Sequence, residues 1–138
     1  MPAFQPFVME QMMSEWENVV DVNLSESGVH PMTLGELLAM DGREPNDLAD
    51  LGQFYPQANG TPELREAIAA LYEGATKDDV LVTIGAAEAN YLAVTTFLEA
   101  GDEVVLVMPN YMQIWGVARN RGCRIKEVLL DVENDWAL

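Results

Sequence analysis

The sequence predicts an α/β fold, and three observations carry that prediction. Three short apolar stretches rich in branched residues, "VLVTI" (80–84), "EVVLVM" (103–108) and "RIKEVLL" (124–130), have the length and composition of strands. Segments of helical spacing separate them, and the links between elements are short. Strand, helix, strand, helix, strand in this arrangement implies parallel pairing, right-handed crossovers and a sheet covered on both sides. The chain thus reads as an N-terminal helix and arm followed by the start of a mostly parallel, doubly wound sheet.

In chain order, residues 7–20 place Val8, Met12, Trp16 and Val20 four apart, with Glu10, Glu15 and Glu17 off that line. This predicts an amphipathic packing helix. "DVNLSESGVHPMT" mixes short apolar and turn residues and predicts an extended arm, leading to a short helix around Leu34 to Met40. "DGREPNDLAD" is a polar connection. At Thr61 the signals sharpen: Thr61 is a good N-cap, Pro62 fits the first helical position and Glu63 suits the helix dipole. Leu64, Ile68, Leu71 and Tyr72 follow at helical spacing, and Gly74 marks the stop. Helices are then expected from about Ala86 to Ala100 and from about Tyr111 to Arg121, between the three strands.

Composition narrows the function classes. With 49% of 138 residues hydrophobic, the chain has material for a real core of one ordinary domain. Seven Lys and Arg face 23 Asp and Glu, a formal charge of -16 that repels nucleic-acid phosphates and anionic membranes, so neither is an expected partner. No basic start, long apolar leader or spanning run is evident, which gives a cytoplasmic protein as the default. The single cysteine, Cys123, reads as a small buried apolar residue. His30, the single histidine, has no ligand companions and reads as a loop residue, so no metal site is expected. Met9, Met12 and Met13 are candidates for packing on a partner subunit.

In doubly wound sheets ligands bind outside the carboxyl ends of the strands. Two places qualify. In "TIGAAEAN", Gly85 ends the first apolar stretch, and its missing side chain lets a ligand approach the free amides that begin the next helix, an arrangement suited to phosphate. Glycine at such a junction also serves turn geometry alone. In "MPNYMQIW", Tyr111 sits where an aromatic ring can cover a flat ligand or simply pack. A dinucleotide-binding domain would share the architecture, but no GxGxxG series follows these stretches.

The ordered set "VNLSESG", "FYPQANGTPELREAIAALY", "VLVTIGAAEAN", "AGDEVVLVMPNY" and "CRIKEVLLDVENDWAL" resembles the N-terminal part of a class I/II aminotransferase. These are fold type I enzymes dependent on pyridoxal 5′-phosphate (PLP). The resemblance covers most of the chain. It implies that the backbone of Gly85, Ala86 and Ala87 cups the cofactor phosphate and that Tyr111 stacks on the pyridine ring. It also implies a homodimer in which Tyr55 reaches across to the partner's phosphate, with the capped helix behind Gly60 as its mount. Residues 1–50 then form the N-terminal helix and arm, with small-domain and dimer contacts, and residues 51–138 the first part of the PLP-binding large domain. Family members often carry a hydroxyl where Ala86 and Ala87 stand, so one phosphate hydrogen bond is expected to be absent or supplied from elsewhere.

The family's Schiff-base lysine, its pyridinium partner and its substrate-gripping arginine lie further along the chain, and neither Lys77 nor Lys126 matches the lysine position. The resemblance therefore implies a truncated piece, inactive alone, of an enzyme that converts an amino acid to a keto acid. A PLP-binding module without catalysis is an alternative. The arm "NLSESGVHPMTLGELL" resembles the subgroup containing capreomycidine synthase and PLP-dependent arginine oxidases. That likeness makes Glu26, Ser27 and Gly28 candidate substrate contacts, with Glu26 pairing to a guanidinium, and cyclisation or oxidation an alternative outcome. A solvated loop carboxylate is the plainer reading of Glu26.

Overall fold

A computed structural model describes residues 4–29 and 31–138; the reading of His30 lies outside the described residues. Among the described residues, five α-helices and two strands make the frame: α1 (Val8–Trp16), α2 (Leu34–Ala39), α3 (Pro62–Ala69), α4 (Gly85–Phe97), β1 (Glu103–Met108), α5 (Gln113–Arg121) and β2 (Arg124–Leu129). β1 and β2 pair in parallel, from Glu103 opposite Arg124 to Met108 opposite Leu129. Branched side chains favour such a pleated, half-buried ribbon. α4 packs on α5 and α5 on β2, where the Trp115 indole donates to Glu127 at 3.0 Å. Val94 of α4 is buried and Ala118 of α5 is 0% exposed, so no larger side chain fits at 118 without displacing its neighbours.

Local chemistry starts α3 as expected and ends α5. Thr61 accepts from the Leu64 amide and caps α3, with Pro62 behind it. Gly122 closes α5 in the left-handed region (φ 89), returning its N–H to the carbonyls of Ala118 and Arg119. The Gly101 amide bonds to the Gly122 carbonyl at 3.0 Å, and the Arg124 amide to the Asp102 carbonyl at 2.7 Å, so the two strands start in register. α3 is tied to the following 3-10 turn (Lys77–Asp79) by Arg65, whose Nη1 donates to the Lys77 carbonyl at 2.9 Å.

Several expectations need correction. Residues 80–84 form no strand; Val80 is extended, but the stretch has no ladder partner among the described residues, and the Val82 amide bonds instead to the Asn59 carbonyl at 3.1 Å. The sheet described is therefore two-stranded. It is not covered on both sides either: Val104, Leu106 and Met108 are half-buried, whereas Val105 on the other face is 63% exposed. The first helix stops at Trp16 rather than Val20, and nothing on it is buried. Its last turn carries Glu15 and no basic residue, with Glu17 at the C-cap, charges the helix C-terminus disfavours. α3 ends at Ala69, five residues before Gly74, α4 ends at Phe97 rather than Ala100, and α5 begins after Tyr111, at Gln113. Cys123 is half-buried, its thiol facing the Glu99 carbonyl at 3.4 Å.

Candidate functional site

The first turn of α4 offers donors to solvent. Gly85 adopts φ +74, a conformation that side-chain-bearing residues rarely take, and a Cβ built there meets nothing within 4 Å. Its own N–H turns back to the Thr83 carbonyl at 3.0 Å. Those of Ala86 and Ala87 have no carbonyl or side-chain acceptor among the described residues, and both residues are exposed. Open space before a positive-φ glycine, with unpaired amides at a helix N-terminus behind it, fits a phosphate ester such as that of PLP. One contact opposes it: the Glu88 carboxylate bonds to the Ile84 amide at the same helix start and adds a like charge.

Tyr111 stands after the carboxyl end of β1. Its phenol donates to Glu10 Oε1 at 2.6 Å, and Phe7 meets its ring edge-on, with centroids 5.2 Å apart and planes at 62°. The bond to the Glu10 carboxylate, with some burial and the Glu10 charge adding to it, pushes the phenol up to about 12. Tyr111 as a residue remains 42% exposed, which leaves it surface to offer a flat ligand.

Gln113, two residues on, joins the two candidate places. Its Nε2 donates to the Ala87 carbonyl at 2.8 Å, and Asn90 Nδ2 donates to its Oε1 at 3.1 Å. Gly85–Ala87 and the segment carrying Tyr111 therefore lie at one end of β1, on the same side of the molecule.

Tyr55 is fully exposed and makes no side-chain hydrogen bond among the described residues. The turn behind it is closed by a bond from the Gly60 amide to the Gln57 carbonyl at 3.0 Å. Gly60 has φ +96, and a Cβ there would fall 2.5 Å from Val82 Cγ2, so both conformation and space demand glycine. The turn is thereby seated on the segment that runs into Gly85.

The arm lies on the Tyr111 side. Glu10, Met12, Met13, Glu26, Ser27 and Tyr111 border one cavity of about 450 Å³. Glu26 Oε1 accepts the Gly28 amide at 2.6 Å, which fixes the carboxylate while leaving its second oxygen without a described partner. Lys77 pairs with Glu66 at 3.1 Å and Lys126 with Glu103 at 2.9 Å, both on the surface. Glu10, Gln113 and Glu88 were not singled out by the sequence; Glu10 and Tyr111 are 101 positions apart, and no local pattern announces the pair. Glu88, four residues after Ile84 at a helix start, is the one that capping chemistry could have flagged.

Comparison with known proteins identifies the family. Residues 44–138 match the family model described as aminotransferase class I and II. A capreomycidine synthase of Streptomyces vinaceus is 33% identical over 131 residues, 94% of this chain and 34% of that protein. Among solved structures, a PLP-dependent aminotransferase from Streptococcus suis superposes with a TM-score of 0.86 at 27% identity, covering 97% of this chain and 37% of that one. The PLP-dependent cyclase OrfR superposes with a TM-score of 0.79 at 30% identity, covering 91% of this chain and 33% of that one. The chain thus spans about a third of the length of these proteins, and PLP is the cofactor named for both structures. The match over residues 44–138 shows that this chain belongs to the class I and II aminotransferases.

Proposed function

We propose that the chain supplies the phosphate cup and ring cover of a PLP site in an enzyme that acts on amino acids and keto acids. One observation carries the reading: Gln113 ties the first turn of α4 to the segment bearing Tyr111, so anion donors and a half-open aromatic ring share one end of β1. Bound there, PLP supplies an electron sink for chemistry at an amino acid Cα. The Gly85–Ala87 backbone holds the phosphate, Tyr111 covers the ring and excludes water from one face, and Tyr55 extends toward the phosphate of a second copy in a homodimer. On this reading residues 1–50 serve as helix and arm and residues 51–138 begin the cofactor domain.

The test is a titration of the chain with PLP, followed by cofactor absorbance and tryptophan quenching. Saturable binding displaced by inorganic phosphate is expected, and Gly85→Val should weaken it about tenfold or more. Absence of saturation, or a folded Gly85→Val chain that binds as well as the parent, would remove the reading.

A second, narrower reading concerns the substrate. Glu26 and Ser27 border the cavity that Tyr111 also borders, and the likeness to a capreomycidine synthase and to a PLP-dependent cyclase favours a guanidino side chain there. The free Glu26 oxygen would accept from it, and cyclisation or oxidation would then replace simple transfer. In a full-length relative carrying this arm, Glu26→Gln should weaken arginine binding far more than alanine binding; equal effects exclude the pairing.

A further inference from the structure

We propose that Glu10 is a positioning residue for Tyr111: its carboxylate, 2.6 Å from the phenol oxygen, holds the ring so that a face, and not the hydroxyl, is what a cofactor meets. The inference rests on the PLP reading above and adds to it a role for a residue outside the matched segment 44–138.

Three observations converge on this contact. Tyr111 is constrained at every end: its amide donates to Asn110 Oδ1 at 2.7 Å, its ring packs at 62° to Phe7, and its hydroxyl is taken by Glu10. Phe7 and Glu10 are one helical turn apart, so a single short segment grips ring and hydroxyl together. Nor does apolar packing of α1 explain the contact, because no residue of that helix is buried. What anchors its approach is polar: the Gln5 amide donates to Asn120 Oδ1 at 2.6 Å, and Asn120 Nδ2 donates to the Gln5 carbonyl at 3.1 Å, fixing the segment against α5.

The chemistry suits an orienting device. A phenol donating to a carboxylate forms a charge-assisted bond, stronger than a neutral one, and a phenol pushed up to about 12 remains a donor at any neutral pH. With its hydroxyl committed, Tyr111 is free to turn neither toward the α4 amides nor toward the second oxygen of Glu26. Holding an aromatic cover in place before the ligand arrives lowers the ordering cost of binding.

The contact and its purpose can be tested separately on the whole chain. By tyrosinate absorbance a late-titrating tyrosine should be seen, should vanish in Tyr111→Phe and should move down in Glu10→Ala. At neutral pH, Glu10→Ala should weaken PLP binding about fivefold to tenfold, whereas Glu10→Gln, which keeps an acceptor oxygen, should stay within about twofold. In a Tyr111→Phe background Glu10→Ala should have no further effect. Equal losses with and without the Tyr111 hydroxyl, or a late tyrosine unmoved by Glu10→Ala, would overturn the contact itself. A titration that behaves as expected in a chain that binds no PLP would overturn the proposal through its premise instead.

Discussion

From Glu103 to Met108 every residue of β1 has a register partner in β2, and the helices beside that ribbon bury Val94 and Ala118. From Phe4 to Gly60 the chain is held differently. There the distant ties are individual contacts: Gln5 with Asn120, Phe7 and Glu10 with Tyr111, and the Asn59 carbonyl with the Val82 amide. The first region is cooperative, because each ladder bond makes its neighbour cheaper to form. In the second, each tie must offset the ordering of its own loop, which costs on the order of 1–2 kcal/mol per fixed residue. The comparison teaches that residues 85–130 set the shape of the site, while the N-terminal region delivers side chains to it through a few replaceable links.

The sharpest way to break this division is at its seam. Gly60→Ala combines a positive φ with a Cβ 2.5 Å from Val82 and should cost about 3 kcal/mol, read as a lowered melting temperature. Adding Val82→Ala should recover part of that loss by removing the clash. If Gly60→Ala is silent, the turn is not seated on Val82 and the two regions are not joined there. A smaller effect is expected inside the cooperative region. Gln113→Ala removes the bonds to the Ala87 carbonyl and from Asn90, and should cost about 1–2 kcal/mol. Hydrogen exchange should rise at the first turn of α4 while the β1–β2 ladder stays protected; uniform loss of protection would show that the site is not separable from the ribbon.

The smallest effect concerns acid. Glu36 accepts from the amide and hydroxyl of Thr33, and Asp79 does the same with Thr76; the backbone bond is the larger cause in each case, and both carboxyls are held below their ordinary range. A depressed carboxyl stabilises above its unfolded pKa and loses that contribution as pH falls through its folded value. Protection of the Thr33 and Thr76 amides should therefore fade as pH drops below about 4, with the β1–β2 ladder unaffected. Fading as pH rises would reverse the sign and rule out the capping account.

What the sequence disclosed follows the same division. Thr61 and Pro62 act on residues within a turn of themselves, so cap chemistry is legible locally. The runs at 103–108 and 124–129 become strands because each is the other's partner. "VLVTI" has the same composition but finds no ladder among the described residues, and composition carries no information about who stands alongside. The candidate places at Gly85 and Tyr111 were visible as a glycine and an aromatic after apolar stretches. Their joining by Gln113 and the grip of Glu10 were not, since both depend on how segments far apart in the chain come to lie together.

The half-bare ribbon has a practical corollary. Val105 and Val107 project from the same side of β1, two residues apart, so they form an oily strip with knobs about 6.6 Å apart. Whatever shelters that strip in a working molecule must present apolar surface of matching pitch. Left unsheltered, its adhesiveness would make the chain's colloidal behaviour depend on protein concentration, so light scattering belongs beside every binding isotherm.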